Sequence, residues 1–174
     1  MNILALDMAT KTGWATNLHG RVESGMQAFD LRRGESLGMR WVRFNAWLET
    51  WAEKDIHMVV YEQNFRRGGA ATEVANGFST RVHEFCARHN IQHTNYNVHE
   101  LKKFTCGHSG KTADKAAMFV AAQKKGWVSF TQMEMDDNEV DAVCLLHLSL
   151  RDFGAVSTAG AGSTAPSGAT SPKR

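Results

Sequence analysis

Two short apolar runs, NILALDM (2–8) and HMVVYE (57–62), do most to limit how this chain can fold. They suit buried strands, and buried strands need helices packed over the sheet that holds them. A helix lies between them. Leu37, Trp41, Phe44, Leu48 and Trp51 recur at spacings of four, three, four and three, which is one face of an α-helix and a core stripe. Ahead of it, GWATN (13–17) and RVESGMQAFD (21–30) are strand candidates joined by LHG, a short turn that predicts an antiparallel hairpin. Residues 70–89 form a helix with Val74, Phe78, Val82 and Phe85 on one face, and IQHTNYNV (91–98) is a fifth strand. A short helix over 98–105 follows, then one from Thr112, as N-cap, to Lys124. The last helix starts near Asp137 and carries Val140, Val143, Cys144 and Leu148. This order predicts an α/β fold: a mixed five-stranded sheet, an antiparallel meander followed by parallel strands, with helices on both faces.

At 174 residues the chain is long enough for one well-buried domain, expected over 1–152. From Phe153 onward the sequence GAVSTAGAGSTAPSGATSPKR offers nothing to bury, so 153–174 reads as a disordered tail. The 3 cysteines have no CxxC spacing, which argues against zinc and for a reducing cytoplasm. No signal peptide or membrane-length apolar run is visible, so a soluble protein with no membrane partner is expected. A net charge of +2 is too small to establish a nucleic-acid partner, although Arg32–Arg33, Arg66–Arg67, Lys102–Lys103 and Lys124–Lys125 are local basic pairs. Each alone is normally a solvated face.

Three acids stand where acids are costly. Asp7 ends ILALD, Glu62 ends MVVYE, and Asp141 lies one turn into an otherwise apolar helix. A buried ionised carboxylate without partners is unfavourable by several kcal/mol, so such positions call for a cation or hydrogen bonds. Ile3, Ala5 and Asp7 share a strand face, as do Met58, Val60 and Glu62. If the two strands are parallel neighbours, Asp7 and Glu62 meet at their ends, and the last helix can bring Asp141 over the same edge. Asp137, four residues before Asp141, can join them. Oxygen donors without His or Cys spacing suit Mg²⁺ or Mn²⁺. Several carboxylates accommodate two ions about 4 Å apart, the arrangement used for in-line phosphodiester cleavage. Taken singly, Asp7 also fits a turn former, Asp136 or Asp137 a helix N-cap, and Glu62 an ion-pair partner. Beyond Glu62, Phe65 has no apolar neighbours and is followed by Arg66 and Arg67, candidate phosphate contacts.

ILALDMATKTGWA, VVYEQNF, the segment from Gly107 to Lys115, and NEVDAVCLLH, in that order, resemble the RuvC-type Holliday-junction resolvases, phage and prophage members more than the bacterial housekeeping enzyme. The resemblance spans Ile3 to about Leu150. It implies an RNase H-like fold, a homodimer, and Mg²⁺-dependent nicking of two symmetric strands of a four-way DNA junction. The products would carry 5′-phosphates, and the setting would be recombination, repair or phage DNA processing. It also implies Asp7, Glu62 and Asp141 as metal ligands, Phe65 as an aromatic that inserts at the crossover, and Lys102 and Lys115 at the DNA backbone and cleaved phosphate. Lys103 and Lys111 are further candidate DNA contacts. The family's last motif has aspartates three residues apart, whereas position 138 here is Asn. The fourth ligand then falls to Asp137, to the carbonyl oxygen of Asn138, or to Glu139. Met8, Ala9 and Thr10 also stand where the family has a glycine after the first aspartate.

GHSGKT (107–112) imitates the end of a phosphate-binding loop, but Thr105 stands where the first glycine is required, so no nucleotide cofactor is expected. A loop presenting Lys111 and Lys115 to phosphate fits better, with His108 idle. The opening strand and turn also look like those of actin-like sugar kinases, which need two such domains. The same acids would equally serve an RNase H-like nuclease acting on flaps or structured RNA. A catalytically weak module that binds branched DNA is a rival that the intact Asp7, Glu62 and Asp141 disfavour. Paired cuts call for a two-fold protein. Helix 70–89 could supply the dimer face through Phe78, Val82 and Phe85, unless that face packs on its own sheet.

Overall fold

The structure, a computed structural model, describes residues 1–63, 68–129 and 136–154. Strand β1 (Ile3–Asp7) pairs antiparallel with β2 (Lys11–Thr16), and β2 pairs antiparallel with β3 (Glu23–Ala28). On its other side β1 pairs parallel with β4 (Met58–Glu62), which pairs parallel with β5 (Gln92–Tyr96). The five-stranded order is β3-β2-β1-β4-β5. Helices α1 (Leu37–Ala52) and α2 (Ala70–His89) cover one face, and α3 (Val98–Cys106), α4 (Lys115–Lys124) and α5 (Asp137–Phe153) cover the other. The expected mixed sheet with helices on both faces is what forms.

The alternation of a strand divides the core in two. Ile3, Ala5, Met58 and Val60 face α5, where Val140, Val143, Cys144 and Leu148 meet them. Leu4, Leu6, Val59 and Tyr61 face the aromatic layer of α1 and α2. There Phe29, Phe44 and Phe78 pack edge to face or tilted, with ring centroids 4.7–6.1 Å apart. Full burial of each such ring contributes about 1.5–3 kcal/mol. Phe78, Val82 and Phe85 are fully buried in this layer. They therefore pack on their own sheet, and the dimer face suggested for them is corrected.

Side-chain caps set the ends of several elements. Thr12 Oγ1 donates to the Ala9 carbonyl at 2.7 Å and closes the turn between β1 and β2, while Thr16 Oγ1 donates to Ile3 O at 2.8 Å across the hairpin. The second strand begins at Lys11, two residues before the expected GWATN, because pairing continues to Lys11 opposite Ala28. Asn97 and Glu100 form a capping box at the start of α3 (Glu100 N to Asn97 Oδ1, 2.9 Å). Helix α4 starts two residues later than expected. Asp114, not Thr112, is its N-cap, because the Asp114 carboxylate accepts from Ala117 N at 2.9 Å. The 107–112 loop follows helix α3 and not a strand. Asp136 caps α5, its Oδ1 accepting from Asn138 N at 3.0 Å. Among the described residues, no helix is long and apolar enough to cross a membrane. Phe65, Arg66, Arg67 and the tail from 155 lie outside the described residues.

Candidate active site

The parallel register of β1 and β4 places Leu6 opposite Tyr61, so its next step sets Asp7 beside Glu62 at the shared C-terminal rim. Both acids fall on the face that α5 covers. The helix is held to that face at its first turn. Gly13 of β2 pairs with Asp7 and faces the helix so closely that a Cβ there would lie 1.9 Å from the Asn138 carbonyl oxygen. Asn138 Nδ2 donates to the Lys11 carbonyl at 2.6 Å, and Ser24 Oγ of β3 donates to Glu139 Oε1 at 2.7 Å. With the first turn fixed, Asp141 comes over the rim one turn later. The result is a cleft of about 250 Å³ lined by Asp7, Glu62, Asp141, Asn138, Lys102 and Lys115.

Electrostatics mark this cleft as strained toward a cation. Burial pushes the Asp7 carboxyl well above its usual range, and the neighbouring charges of Asp141 and Glu62 push it further, with only Lys115 opposing. Burial likewise lifts Asp141 to about 6, against the pull of Lys115 and Lys102. Lys115 Nζ lies 3.0 Å from Asp137 Oδ2, and that hydrogen bond raises the lysine's pKa, keeping it cationic. The three part-buried carboxyls form an all-oxygen set, which suits Mg²⁺ or Mn²⁺ rather than a soft metal. Asp7, Glu62 and Asp141 are the residues that would hold such an ion. Among the described residues, no three His, Cys, Asp or Glu side chains form a ready-made metal cage.

The remaining candidates separate. Lys102 and Lys115 border the cleft. Lys103 lines a different groove with Tyr96, Glu100 and Asp152, and Lys111 and His108 are outside the cleft. Asp137 is bound to Lys115 and 44% exposed, and Glu139 is turned to Ser24. The residue that sequence reasoning missed is Gly13. Its signal was a glycine inside a strand, which marks a close backbone approach.

No protein-family model and no curated protein matches the sequence. Solved structures do. The Thermus thermophilus RuvC structure superposes with a TM-score of 0.68 at 15% identity, covering 91% of this chain and 98% of that one. T. thermophilus RuvC in complex with Holliday junction substrate gives a TM-score of 0.67 at 15% identity, covering 91% and 97%. With a mixed five-stranded sheet, helices on each face and near-complete mutual coverage, the chain has a RuvC-like fold of the RNase H type.

Proposed function

We propose that this protein is a divalent-metal-dependent endonuclease that resolves four-way DNA junctions, acting as a homodimer and leaving 5′-phosphates. One observation carries the proposal: Asp7, Glu62 and Asp141 gather with Lys102 and Lys115 around a single cleft at the sheet rim of a RuvC-like fold. The similar structure bound to a Holliday junction substrate supports branched DNA as the ligand.

Bound Mg²⁺ or Mn²⁺ would supply an activated water and positive charge opposite the departing 3′ oxygen. Asp7, Glu62 and Asp141 would hold the ions, and none of the three attacks phosphorus. Lys115, kept cationic by Asp137, would neutralise the scissile phosphate, and Lys102, which also lines the cleft, would anchor the strand beside it. Phe65 would stack on bases at the opened crossover, with Arg66, Arg67, Lys103 and Lys111 as backbone contacts along the DNA arms. A two-fold dimer would present two such clefts to the two symmetric strands.

The test is a gel assay on a labelled four-way junction, a matched linear duplex and a flap, in Mg²⁺ and in EDTA. Symmetric nicks confined to the junction and abolished by EDTA are expected. Equal cutting of all three substrates would replace junction resolution with a general nuclease, and junction binding without cutting would leave a binding module. Phe65→Ala is expected to keep metal binding and to slow junction cleavage; cleavage at the parent rate would remove Phe65 from the mechanism.

A further inference from the structure

Resting on the metal-dependent reading above, we infer that the fourth oxygen donor of the cleft is the uncharged Oδ1 of Asn138, and that Asp137 is not a ligand but holds Lys115 at the cleft mouth. Both residues flank Asp141 on the first turn of α5, at three and four residues' distance, so helix geometry alone allows either. Their partners separate them. Asn138 lies on the β2 side and lines the cleft with Asp7, Glu62 and Asp141. Its Nδ2 donates to the Lys11 carbonyl at 2.6 Å. A carbonyl only accepts, so the amide must present its nitrogen there. The oxygen of the same planar group is thereby directed away from Lys11. The backbone is equally fixed, since Gly13 packs against the Asn138 carbonyl and Asp136 caps the Asn138 N–H at 3.0 Å.

Asp137 lies on the opposite, α4 side of the same turn. Its Oδ2 is 3.0 Å from Lys115 Nζ, and it is not among the residues lining the cleft. An aspartate at 138 could not reproduce what the amide does, because one carboxylate oxygen would face the Lys11 carbonyl oxygen. The amide joins two tasks, a donor to the sheet edge and an oxygen for a hard cation, and leaves the set one negative charge lower.

The test reads Mn²⁺ affinity without DNA, from the free-ion electron paramagnetic resonance signal, with melting curves on every variant. Asn138→Ala is expected to weaken Mn²⁺ binding about tenfold or more, the size expected for the loss of one oxygen contact to a charged group. Asp137→Ala is expected to stay within about threefold, as for loss of an exposed ion pair. Asn138→Asp decides the matter if the alanine variant does not fold: it is expected to melt lower without metal and to bind Mn²⁺ about tenfold more tightly through its added charge. Parent-like affinity in both Asn138 variants would overturn the assignment, as would a loss in Asp137→Ala equal to that in Asp7→Asn. If Asp7→Asn itself binds Mn²⁺ like the parent, the metal-dependent reading fails instead. For the positioning role, Asp137→Ala should cut the junction about tenfold more slowly at unchanged Mn²⁺ affinity. Asp137→Glu, still able to reach Lys115, should restore the rate; a rate as slow as the alanine variant's would overturn it.

Discussion

Asp7→Asn is expected to bind four-way DNA as the parent does, to cut it about a thousandfold more slowly, and to melt at a higher temperature than the parent in EDTA. The loss of cutting follows from removing a charge that would hold the metal, because several kcal/mol of transition-state stabilisation corresponds to about 10³ in rate. The gain in stability comes from the same residue. Asp7 is held in a buried site beside Asp141 and Glu62, which makes its ionised form unfavourable when no cation is bound. An amide keeps the shape and removes the charge. Asp141→Asn should behave alike, and there a size can be given. A carboxyl raised from its ordinary 3.8 to about 6 loses roughly 3 kcal/mol of stability when ionised. For a domain of this length, partial recovery of that energy is a rise of about 5 °C in melting temperature. A variant that cuts at the parent rate would remove Asp7 from the chemistry, and one that melts lower would show that its carboxylate stabilises the fold.

The pH dependence has a definite sign. In the metal-free protein, Asp7 and Asp141 keep their protons at pH values where the unfolded chain has released them. The folded state then binds more protons than the unfolded one, so these groups lower stability as pH rises. For Asp141 the penalty is absent below about 3.8 and complete above about 6. Glu35 and Glu49 run the other way, since Arg43 and Arg88 hold them below the usual carboxylate range and their contribution is lost on acidification. The difference between parent and Asp141→Asn isolates the effect: their melting temperatures should nearly coincide near pH 4 and separate through pH 6. Mn²⁺ should close the gap.

The strands and the acids were legible because both rest on short-range rules. Asp7 and Glu62 each end a buried strand on the side set by simple alternation, and a helix crossing between two neighbouring strands lets them run parallel. The stripe of Phe44, Leu48 and Trp51 was equally plain, since a helical period of apolar residues has few uses other than a core. What the sequence left open is tertiary. Phe78, Val82 and Phe85 form the same stripe whether they face a partner or their own sheet, and only the aromatic layer of α1 shows which. Lys102 and Lys103 are adjacent in sequence but lie in different grooves, because successive residues of a helix point about 100° apart. Asp137 and Asn138 could not be separated without knowing that Lys115 stands on one side of the turn and the Lys11 carbonyl on the other.

Gly13→Ala is expected to slow junction cleavage about a hundredfold and to lower the melting temperature by roughly 5 °C or more, although residue 13 touches no substrate. The added methyl would lie 1.9 Å from the Asn138 carbonyl oxygen, 2.2 Å from its carbon and 2.6 Å from Glu139 N. All three are backbone atoms of a helix turn, so no side chain can rotate out of the way. The turn is also tied to the sheet by Asn138 to Lys11 and Ser24 to Glu139. To accommodate the methyl, α5 must lift from β2 by more than 1 Å. Overpacking of this kind costs about 1–3 kcal/mol or more, which is several degrees for a domain of this size. The same lift moves Asp141 away from Asp7, and a displacement of about 1 Å is worth roughly a hundredfold in rate. Gly38→Ala is the control: a Cβ there meets only Ser36 Oγ at 3.5 Å within a helix, so stability should hold or rise by about 0.4–1 kcal/mol with cleavage unchanged. Parent-like melting and cutting in Gly13→Ala would mean that α5 does not need its close seat on β2, and the geometry that brings Asp141 to the rim would have to be set elsewhere.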